Sequence, residues 1–386
     1  MVFPCDGDDC IHIYDSHIII VEEEVDSMRK ALWLLVLLLV VGVPLLAFKV
    51  IMVTDTGGLG DKSFNDGTWH GIQMAAEELG IEAEVIQSYE QADYVPNLTK
   101  AAQEADVVFA VGFMMTDALA KVAPQFPDTY FVGIDIVLED YPPNVITFVF
   151  KEEESAFTVG YVAAAMTKTG IVGFVGGIPI PPVERFRYGF ETGVKLYCDL
   201  HGKDVEILRG YTMVFDDPKK GKDLAVSQFA QGADIIFAAA GACGNGVIEA
   251  AKEYFTSLVG SDDLVDLIDY YYKTGQGFFA IGVDVDQDYM APGAVLCSSM
   301  KRIDVASYYG VKWAYEGTFE GGLKKLGLKD KGVGISPMKY TKGLIPTKVL
   351  AELQYLISLV KKGELVIPDT QEELDAFVTP PIEFPF

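Results

Sequence analysis

From residue 49 onward the sequence alternates short apolar segments rich in β-branched residues with longer segments of helical spacing, and it does so twice. Such apolar segments predict buried strands, and their alternation with helices predicts parallel sheets. The first series of predicted strands lies at 49–54, 82–87, 107–111, 129–134 and 145–150. The second series lies at 171–175, 204–208, 234–239 and 278–283. The pattern therefore predicts an α/β fold with two doubly wound lobes.

The last part of the chain predicts how the two lobes are joined. Two more strands are predicted at 294–299 and 332–337, with a helix at 302–317 between them and a last helix at 346–361. If this part returns to the first lobe and then crosses back, three segments form a hinge. Because parallel sheets bind ligands beyond the carboxyl ends of their strands, two facing sheets create a cleft that can close over a small molecule.

This prediction divides the chain into four parts. The assignment is an acidic extension at 1–27, a signal peptide or membrane anchor at 28–48, lobe 1 at 49–150 plus 297–325, and lobe 2 at 151–296 plus 326–386. The final residues, which are rich in proline, are expected to be irregular.

The amino-terminal region predicts export. Residues 28–48 read MRKALWLLVLLLVVGVPLLAF, two cations followed by a long apolar run, which is typical of a signal peptide and long enough for a membrane anchor. Residues 1–27 contain no Lys or Arg, so we hypothesise that Met28 is the natural start. No cysteine follows the apolar run where a lipid anchor would need one. We expect an extracytoplasmic location, with the mode of attachment open.

Charge and cysteine spacing exclude several classes of protein. The formal net charge of -26 argues against a nucleic-acid-binding protein, which needs clustered cations, and favours a soluble monomer. The five cysteines have no CxxC spacing and only four histidines are present, so neither a zinc site nor another cofactor is predicted.

The loop TDTGGLGDKSFND, residues 54–66, occupies the position at which many α/β proteins bind phosphate. Asp61 separates Gly60 from Lys62, which breaks the order of a nucleotide-binding loop, and Asp55 and Asp66 would repel a polyphosphate. Ser63 is predicted to cap the helix that follows. The loop therefore predicts a different ligand.

Several segments at predicted strand ends carry a resemblance to a known family. They are the loop at 54–66, VGFMMTDAL (111–119), FKEEESAFTVGYVAA (150–164), IPIPPVERFRYGFETG (178–193), AAAGACGNGV (238–247), IGVDVDQDYMAPG (281–293) and CSSMKRID (297–304). In this order, over residues 49 to about 368, they resemble the basic membrane protein family of solute-binding proteins, whose best-known members are similar to purine nucleoside receptor A (PnrA). The resemblance implies a type I periplasmic-binding-protein fold, a purine nucleoside in the cleft and delivery to an ABC transporter permease, without catalysis.

The resemblance and the residue chemistry together suggest a set of ligand-binding residues. Phe64 and Phe186 are expected on opposite lobes, where they would stack on the two faces of a base; the alternative is that either ring belongs to the core. Asp55, Asn65 and Asp117 would address the base edge, and carboxylates would favour guanosine or inosine over adenosine. Helix capping is the competing role for Asp117.

The second lobe is expected to bind the ribose. Asp284 follows the strand FFAIGV and can bridge two ribose hydroxyls, and the resemblance implies that Lys301 donates to a ribose oxygen. Gly241 permits close approach of backbone to ligand, although a simple tight turn is the alternative. Asp286 and Asp288 next to Asp284 suggest a calcium loop, but the further ligands of such a loop are missing.

Two alternatives remain open at this stage. One is a binding protein for another ligand, such as riboflavin or a sugar. Another is a nucleoside-processing enzyme, for which the sequence offers no convincing metal cluster or paired base. The acidic run at 152–154 is expected to be a solvated helix start with no role in binding.

Overall fold

The computed structural model describes residues 27–30, which form an exposed helical fragment, and residues 48–386, which form one compact unit. The rest of the predicted acidic extension and of the signal or anchor segment lies outside the described residues. In the described parts of the chain, 27–30 and 48–386, no helix is long and apolar enough to cross a membrane.

The first sheet has six strands, all parallel, in the order β11-β5-β4-β3-β1-β2. Its strands are β1 (Lys49–Val53), β2 (Glu82–Ile86), β3 (Val107–Val111), β4 (Tyr130–Ile134), β5 (Val145–Phe150) and β11 (Gly322–Leu326). Every residue of β3 and β5 is buried, as expected for central strands covered by helices on both faces.

The second sheet repeats this architecture in the order β12-β10-β9-β8-β6-β7. Its strands are β6 (Ile171–Gly176), β7 (Glu206–Tyr211), β8 (Ile235–Ala239), β9 (Phe279–Asp284), β10 (Val295–Lys301) and β12 (Val333–Ile335). Only the short edge strand β12 pairs antiparallel, with β10. The two sheets confirm the predicted α/β fold with two doubly wound lobes.

Eleven helices connect and cover the strands in residues 48–386. They are α1 (Phe64–Leu79), α2 (Tyr94–Glu104), α3 (Thr116–Val122), α4 (Glu152–Met166), α5 (Pro181–His201), α6 (Pro218–Ala230), α7 (Ala242–Val259), α8 (Leu264–Thr274), α9 (Ile303–Tyr315), α10 (Thr347–Lys362) and α11 (Gln371–Ala376). Neither α8 nor the edge strand β11 was predicted from the sequence; the β11 sequence GLKKL lacks β-branched residues. It also left α11 irregular, although the Thr370 side chain accepts a hydrogen bond from Glu373 N and caps this helix.

The chain crosses between the sheets three times, as the three-segment hinge requires. The crossings lie between β5 and α4, between β10 and α9, and between β11 and β12. Strand β10 pairs with β9, so residues 297–301 belong to the second sheet, whereas the sequence analysis placed them in lobe 1. The second crossing therefore falls after Lys301, because the hydrogen bonds of β10 to β9 continue to the end of this strand.

Helices α4 and α5 pack at unusually close range because glycines lie where they meet. A Cβ atom on Gly193 would lie 2.0 Å from the carbonyl oxygen of Phe157, and one on Gly160 would lie 2.1 Å from that of Phe190. Real Cβ atoms do not approach backbone atoms this closely. A side chain at either position therefore has to push the two helices apart.

We expect Gly193→Val to lower the free energy of unfolding by about 3 kcal/mol, the upper part of the range for overpacking, because backbone rather than a flexible side chain stands in the way. Urea denaturation measures it. Gly334→Val is the matched control, since nothing lies within 4 Å of a Cβ on Gly334 in the edge strand β12. Equal stability of the two variants would contradict the close-packing argument.

Candidate ligand-binding site

A cleft lies between the carboxyl ends of the two sets of parallel strands. Its walls include residues that follow β1, β3 and β4 in the first lobe and β6 and β8 in the second, together with the last residues of β9 and Lys301 at the end of β10. The structure brings seven of the eight predicted site residues together in these walls: Asp55, Phe64, Asn65, Phe186, Gly241, Asp284 and Lys301.

Asp117 is the exception. It lies in the first turn of α3, its side chain is exposed, and it is not part of the cleft wall. The segment between β3 and α3 forms a short turn at 113–115, which carries Asp117 away from the strand end. The cleft is lined there by Gly112 and Phe113 instead. The prediction that Asp117 addresses the ligand from this wall is therefore wrong.

The loop after β1 is organised by Asp61, a residue to which the sequence analysis gave no structural role. Asp61 Oδ1 accepts hydrogen bonds from the backbone N–H groups of Ser63 and Asp66, at 3.0 and 3.1 Å. Asp61 Oδ2 accepts from the backbone N–H of Asn65 at 2.8 Å. This carboxylate thus satisfies the first amides of α1, where a phosphate would otherwise bind. Ser63 makes no capping hydrogen bond, so its predicted role as the cap is wrong.

Asp55 and Asn65 form a buried pair in the same wall. Asp55 Oδ1 accepts from Asn65 Nδ2 and from the backbone N–H of Gly57, both at 2.9 Å. Asn65 Nδ2 also donates to Asp61 at 3.2 Å. The amide hydrogens of Asn65 are therefore engaged within the protein, and its Oδ1 is buried without a partner. Burial raises the pKa of Asp55 to about 6.

Asp284 is held at the end of β9 with φ of 64°, which turns its backbone into the left-handed region. Its Oδ2 accepts a 2.6 Å hydrogen bond from the Ser63 hydroxyl, and its Oδ1 is buried without a partner. Burial raises the pKa of Asp284 to about 7, although the nearby Lys301 ammonium opposes this shift. One oxygen of Asp284 therefore remains available to a ligand.

Lys301 lies at the centre of a buried cluster of charges. Its Nζ forms an ion pair with Asp135, which follows β4, and another at 2.9 Å with Glu152, the first residue of α4. The Arg185 guanidinium binds the other oxygen of Glu152 at 2.6 Å. Burial acts to lower the pKa of Lys301, but the two carboxylates outweigh it and raise the pKa. An ammonium has three hydrogens, so two ion pairs leave one for a ligand.

The acidic run at 152–154 is not solvated, and that expectation is wrong. Glu152 is completely buried, and Glu153 and Glu154 are buried as well. Glu154 Oε2 accepts a 2.7 Å hydrogen bond from the backbone N–H of Leu328 in the third crossing segment. The run thus starts α4 at the point where the crossing segments meet. Glu152 is compensated by Arg185 and Lys301, which lie far away in the sequence, whereas Glu153 Oε2 is buried without a partner.

The two predicted aromatic residues approach the same group from different lobes. Phe64 is the first residue of α1 and Phe186 lies in the first turns of α5. The ring centroids of Phe64 and Phe186 lie 5.0 and 5.9 Å from Lys301 Nζ. Phe186 also packs edge to face against Phe237 in the core, at 6.0 Å, so it belongs to the core and to the cleft wall together.

Two residues of the cleft wall, Asp135 and Phe215, and one residue of the charge cluster, Arg185, are functional candidates that were not identified from the sequence. Asp135 is the aspartate of the sequence GID at the end of β4, just as Asp284 is the aspartate of GVD at the end of β9, and this repeated pattern could have revealed it. Arg185, which directly precedes Phe186 in the sequence, supports the charge cluster through its ion pair with Glu152. Phe215 lines the cleft beside Gly241, whose φ of 55° requires the left-handed region. Nothing in the sequence around Phe215 distinguishes it from a core aromatic residue.

The three acids at 284, 286 and 288 do not converge. Asp286 accepts from the backbone N–H of Asp288 at 3.3 Å, and Asp288 accepts from the backbone N–H of Lys339 at 3.0 Å. Within residues 27–30 and 48–386, no group of three His, Cys, Asp or Glu side chains is arranged to hold a metal ion. The structure gives no support to the calcium-loop alternative in the part of the chain that it describes.

Ligand-free stability should fall as the pH rises from 5 to 8. Burial raises the pKa of Asp55 to about 6, of Asp284 to about 7 and of Glu153 to about 8. Between pH 5 and 8 these groups retain protons in the folded state that they lose in the unfolded state, so their contribution to stability is complete below about pH 4 and lost as the pH rises through the folded pKa values. Urea denaturation across this range measures the decrease. Glu153→Gln should make the decrease smaller, and a stability that rises over this range would contradict the burial argument.

Comparison with known proteins identifies the family. The model of the Bmp family, described as ABC transporter substrate-binding protein PnrA-like, matches residues 48–369. The chain belongs to the Bmp family. A lipoprotein of Pyrococcus horikoshii is 34% identical over 294 residues, which cover 75% of this chain and 68% of the relative. A basic membrane protein of Borrelia garinii is 33% identical over 335 residues, 86% of this chain and 91% of the relative.

Solved structures agree with this membership. The crystal structure of a solute-binding protein of an ABC transporter system from Aeropyrum pernix superimposes with a TM-score of 0.74 at 30% identity and covers 85% of this Bmp chain and 96% of its own. A solute-binding protein from Conexibacter woesei, at 22% identity and a TM-score of 0.60, shares the fold. The Bmp protein therefore has the type I periplasmic-binding-protein fold, and it is a substrate-binding protein of an ABC transporter.

Proposed function

We propose that this Bmp protein captures a purine nucleoside (guanosine, inosine or adenosine) in the cleft and delivers it to an ABC importer. The observation that carries the proposal is a set of three buried oxygen atoms without partners: Asn65 Oδ1, Asp135 Oδ1 and Asp284 Oδ1. All three belong to residues of the cleft wall and all three are acceptors. A ligand that satisfies them has to bring several N–H or O–H donors, as a purine edge and a ribose do.

The aromatic rings narrow the class of ligand. A sugar alone could satisfy the acceptors, but Phe64 and Phe186 supply two apolar faces at the amino-terminal ends of α1 and α5. Base stacking on such rings typically contributes about 1–3 kcal/mol per base. In this proposal Phe64 and Phe186 stack on the base, Asp55 and Asn65 bind its edge, and Asp284 and Lys301 bind the ribose, with Gly241 admitting the ligand close to the backbone.

The acceptors also favour particular bases. Because the Asn65 amide hydrogens are engaged with Asp55 and Asp61, this wall offers acceptors to the base edge. Guanosine and inosine carry ring N–H donors on that edge, so they should bind more tightly than adenosine. Carboxylates in the wall also oppose a phosphate, which favours a nucleoside over a nucleotide.

Location and partner follow from the same proposal. Relatives are named lipoproteins and basic membrane proteins, which supports an extracytoplasmic site of action at the membrane. Export through the segment at 28–48 would bring the protein to its permease. We propose that it acts as a monomer, and light scattering of the purified protein tests this.

Calorimetric titration with guanosine, inosine, adenosine, cytidine, ribose and riboflavin tests the ligand class. The expected result is tight binding of the purine nucleosides and weak binding of ribose. If only riboflavin or ribose bound tightly, the proposal of a nucleoside ligand would be rejected in favour of that ligand. Chromatography of the titrated samples gives a second readout, because release of free base would show a nucleoside-processing enzyme rather than a receptor.

A further inference from the structure

Side-chain hydrogen bonds of Ser63 and Gln287 join the lobes directly beside the cleft. The Ser63 hydroxyl, just before α1 in the first lobe, donates to Asp284 Oδ2 in the second lobe at 2.6 Å. Gln287 Nε2, in the loop after β9, donates to the carbonyl oxygen of Lys62 at 3.0 Å. Ser63 is fully buried and Gln287 is 2% exposed, so both donor side chains are shielded from water, although Lys62 itself is exposed. These bonds connect two segments that are more than two hundred residues apart in the sequence.

The segments that carry these bonds are prepared for them. Lys62 has φ of 52° and Asp284 has φ of 64°, and such left-handed backbone is costly for residues other than glycine. Asp61 satisfies the first amides of α1, which leaves the Ser63 hydroxyl free to reach the other lobe. Both segments are therefore held in costly conformations at the place where the lobes meet.

Gln287 is fixed from its own side. Its Oε1 accepts from the backbone N–H of Val283 at 2.9 Å, and its backbone N–H donates to Ser298 Oγ at 3.1 Å. The side-chain amide is thereby oriented so that its donor group points across to Lys62. A flexible surface glutamine would lose conformational entropy on making this bond, whereas Gln287 is already ordered.

We propose that Ser63 and Gln287 form an interlobe latch that stabilises the closed cleft. The latch consists of two hydrogen bonds, from Ser63 to Asp284 and from Gln287 to the Lys62 carbonyl. Asp284 divides its two oxygens between two tasks, because Oδ2 accepts from Ser63 of the opposite lobe, while Oδ1 of this cleft-wall residue has no partner in the protein. Ser63 and Gln287 are positioning residues in this scheme. The ligand part of the inference rests on the proposed function; the latch itself does not.

Loss of the latch should destabilise the closed form more than the open form. When the lobes separate, Asp284 Oδ2 and the Lys62 carbonyl gain water, so losing the latch costs little in the open form. In the closed form the bond to Asp284 is buried and the bond to the Lys62 carbonyl is partly buried, so without their donors these acceptors are poorly satisfied. Removal of the latch should therefore shift the equilibrium towards the open form and accelerate ligand release, while association should change little.

The test uses two variants and a control. Ser63→Ala removes one donor, and Gln287→Glu keeps the acceptor for Val283 but loses the donor to Lys62. Ser307→Ala is the matched control, because Ser307 is a buried serine on α9 whose hydroxyl has no partner. The measurements are small-angle X-ray scattering of the ligand-free protein, guanosine association and dissociation by stopped flow, and the melting temperature of each variant.

We expect both latch variants to have a larger radius of gyration than the wild type without ligand, and guanosine to dissociate on the order of tenfold faster with an unchanged association rate. Ser307→Ala should match the wild type in both. If both latch variants kept the radius of gyration and the guanosine dissociation rate of the wild type, the proposed latch would be wrong. If the wild type binds no nucleoside, the proposed function fails, and the scattering comparison then decides the latch by itself.

Discussion

Lys301→Met is expected to lower the free energy of unfolding by about 3–5 kcal/mol, the usual effect of removing one partner from a buried ion pair. Lys301 is 2% exposed and its ammonium is the shared counterion of Asp135 and Glu152. Methionine fills a similar volume, so the loss of stability comes from the two buried carboxylates, which no longer have the ammonium as counterion. Urea denaturation near pH 7 measures the change.

Two comparisons distinguish this charge effect from a packing effect. Lys312→Met removes a lysine whose ion pair with Glu78 is open to solvent, and its stability should hardly change. Adding Asp135→Asn to Lys301→Met should restore part of the lost stability, because one of the stranded charges is then gone. If the double variant were the less stable of the two, the charge cluster would not explain the effect.

Phe64→Ala is expected to weaken guanosine binding by about 1–3 kcal/mol, roughly fivefold to 150-fold in the dissociation constant, because it removes one stacking face. Phe64 is partly exposed in the cleft wall, unlike the buried Phe186, so the fold should be retained. Calorimetric titration with guanosine and with ribose measures the effect, and the affinity for ribose should change less.

The controls for this variant test the ring itself. Phe64→Tyr keeps an aromatic face and should retain most of the affinity. Tyr89→Ala removes an aromatic residue that is 79% exposed and not part of the cleft wall, and it should bind like the wild type. A Phe64→Ala protein with full affinity for guanosine would remove this ring from the site.

Much of the fold could be predicted because strand and helix periods are local properties. The strands β3 and β5, for example, are continuous apolar segments bounded by polar residues, and the structure has them at 107–111 and 145–150 as predicted. Strand β11 escaped prediction because GLKKL at a sheet edge alternates between half-buried and exposed residues. The register of β10 with β9, which set the position of the second crossing, is a long-range pairing that no local pattern contains.

The site was predictable where the position of a residue relative to a strand end was sufficient. Asp284 ends a parallel strand, and Asp55 and Gly241 come two residues after the ends of theirs; the carboxyl ends of such strands converge on one edge. Asp117 failed because a short turn separates it from its strand end. Ser63 failed as a helix cap because Asp61, two positions earlier, reaches the same amides with two oxygens.

The sequence by itself determined two parallel sheets, three crossings and a cleft at the strand ends, because apolar periodicity is local and parallel strands impose a common edge. Only the tertiary structure decided the electrostatics of that cleft. Glu152 and Lys301 are ordinary surface residue types in the sequence, and they become a buried pair because α4 and β10 meet beside the cleft. The charge and the pKa of a side chain depend on its burial and on its interaction partners, and both are set by residues that lie far away along the chain.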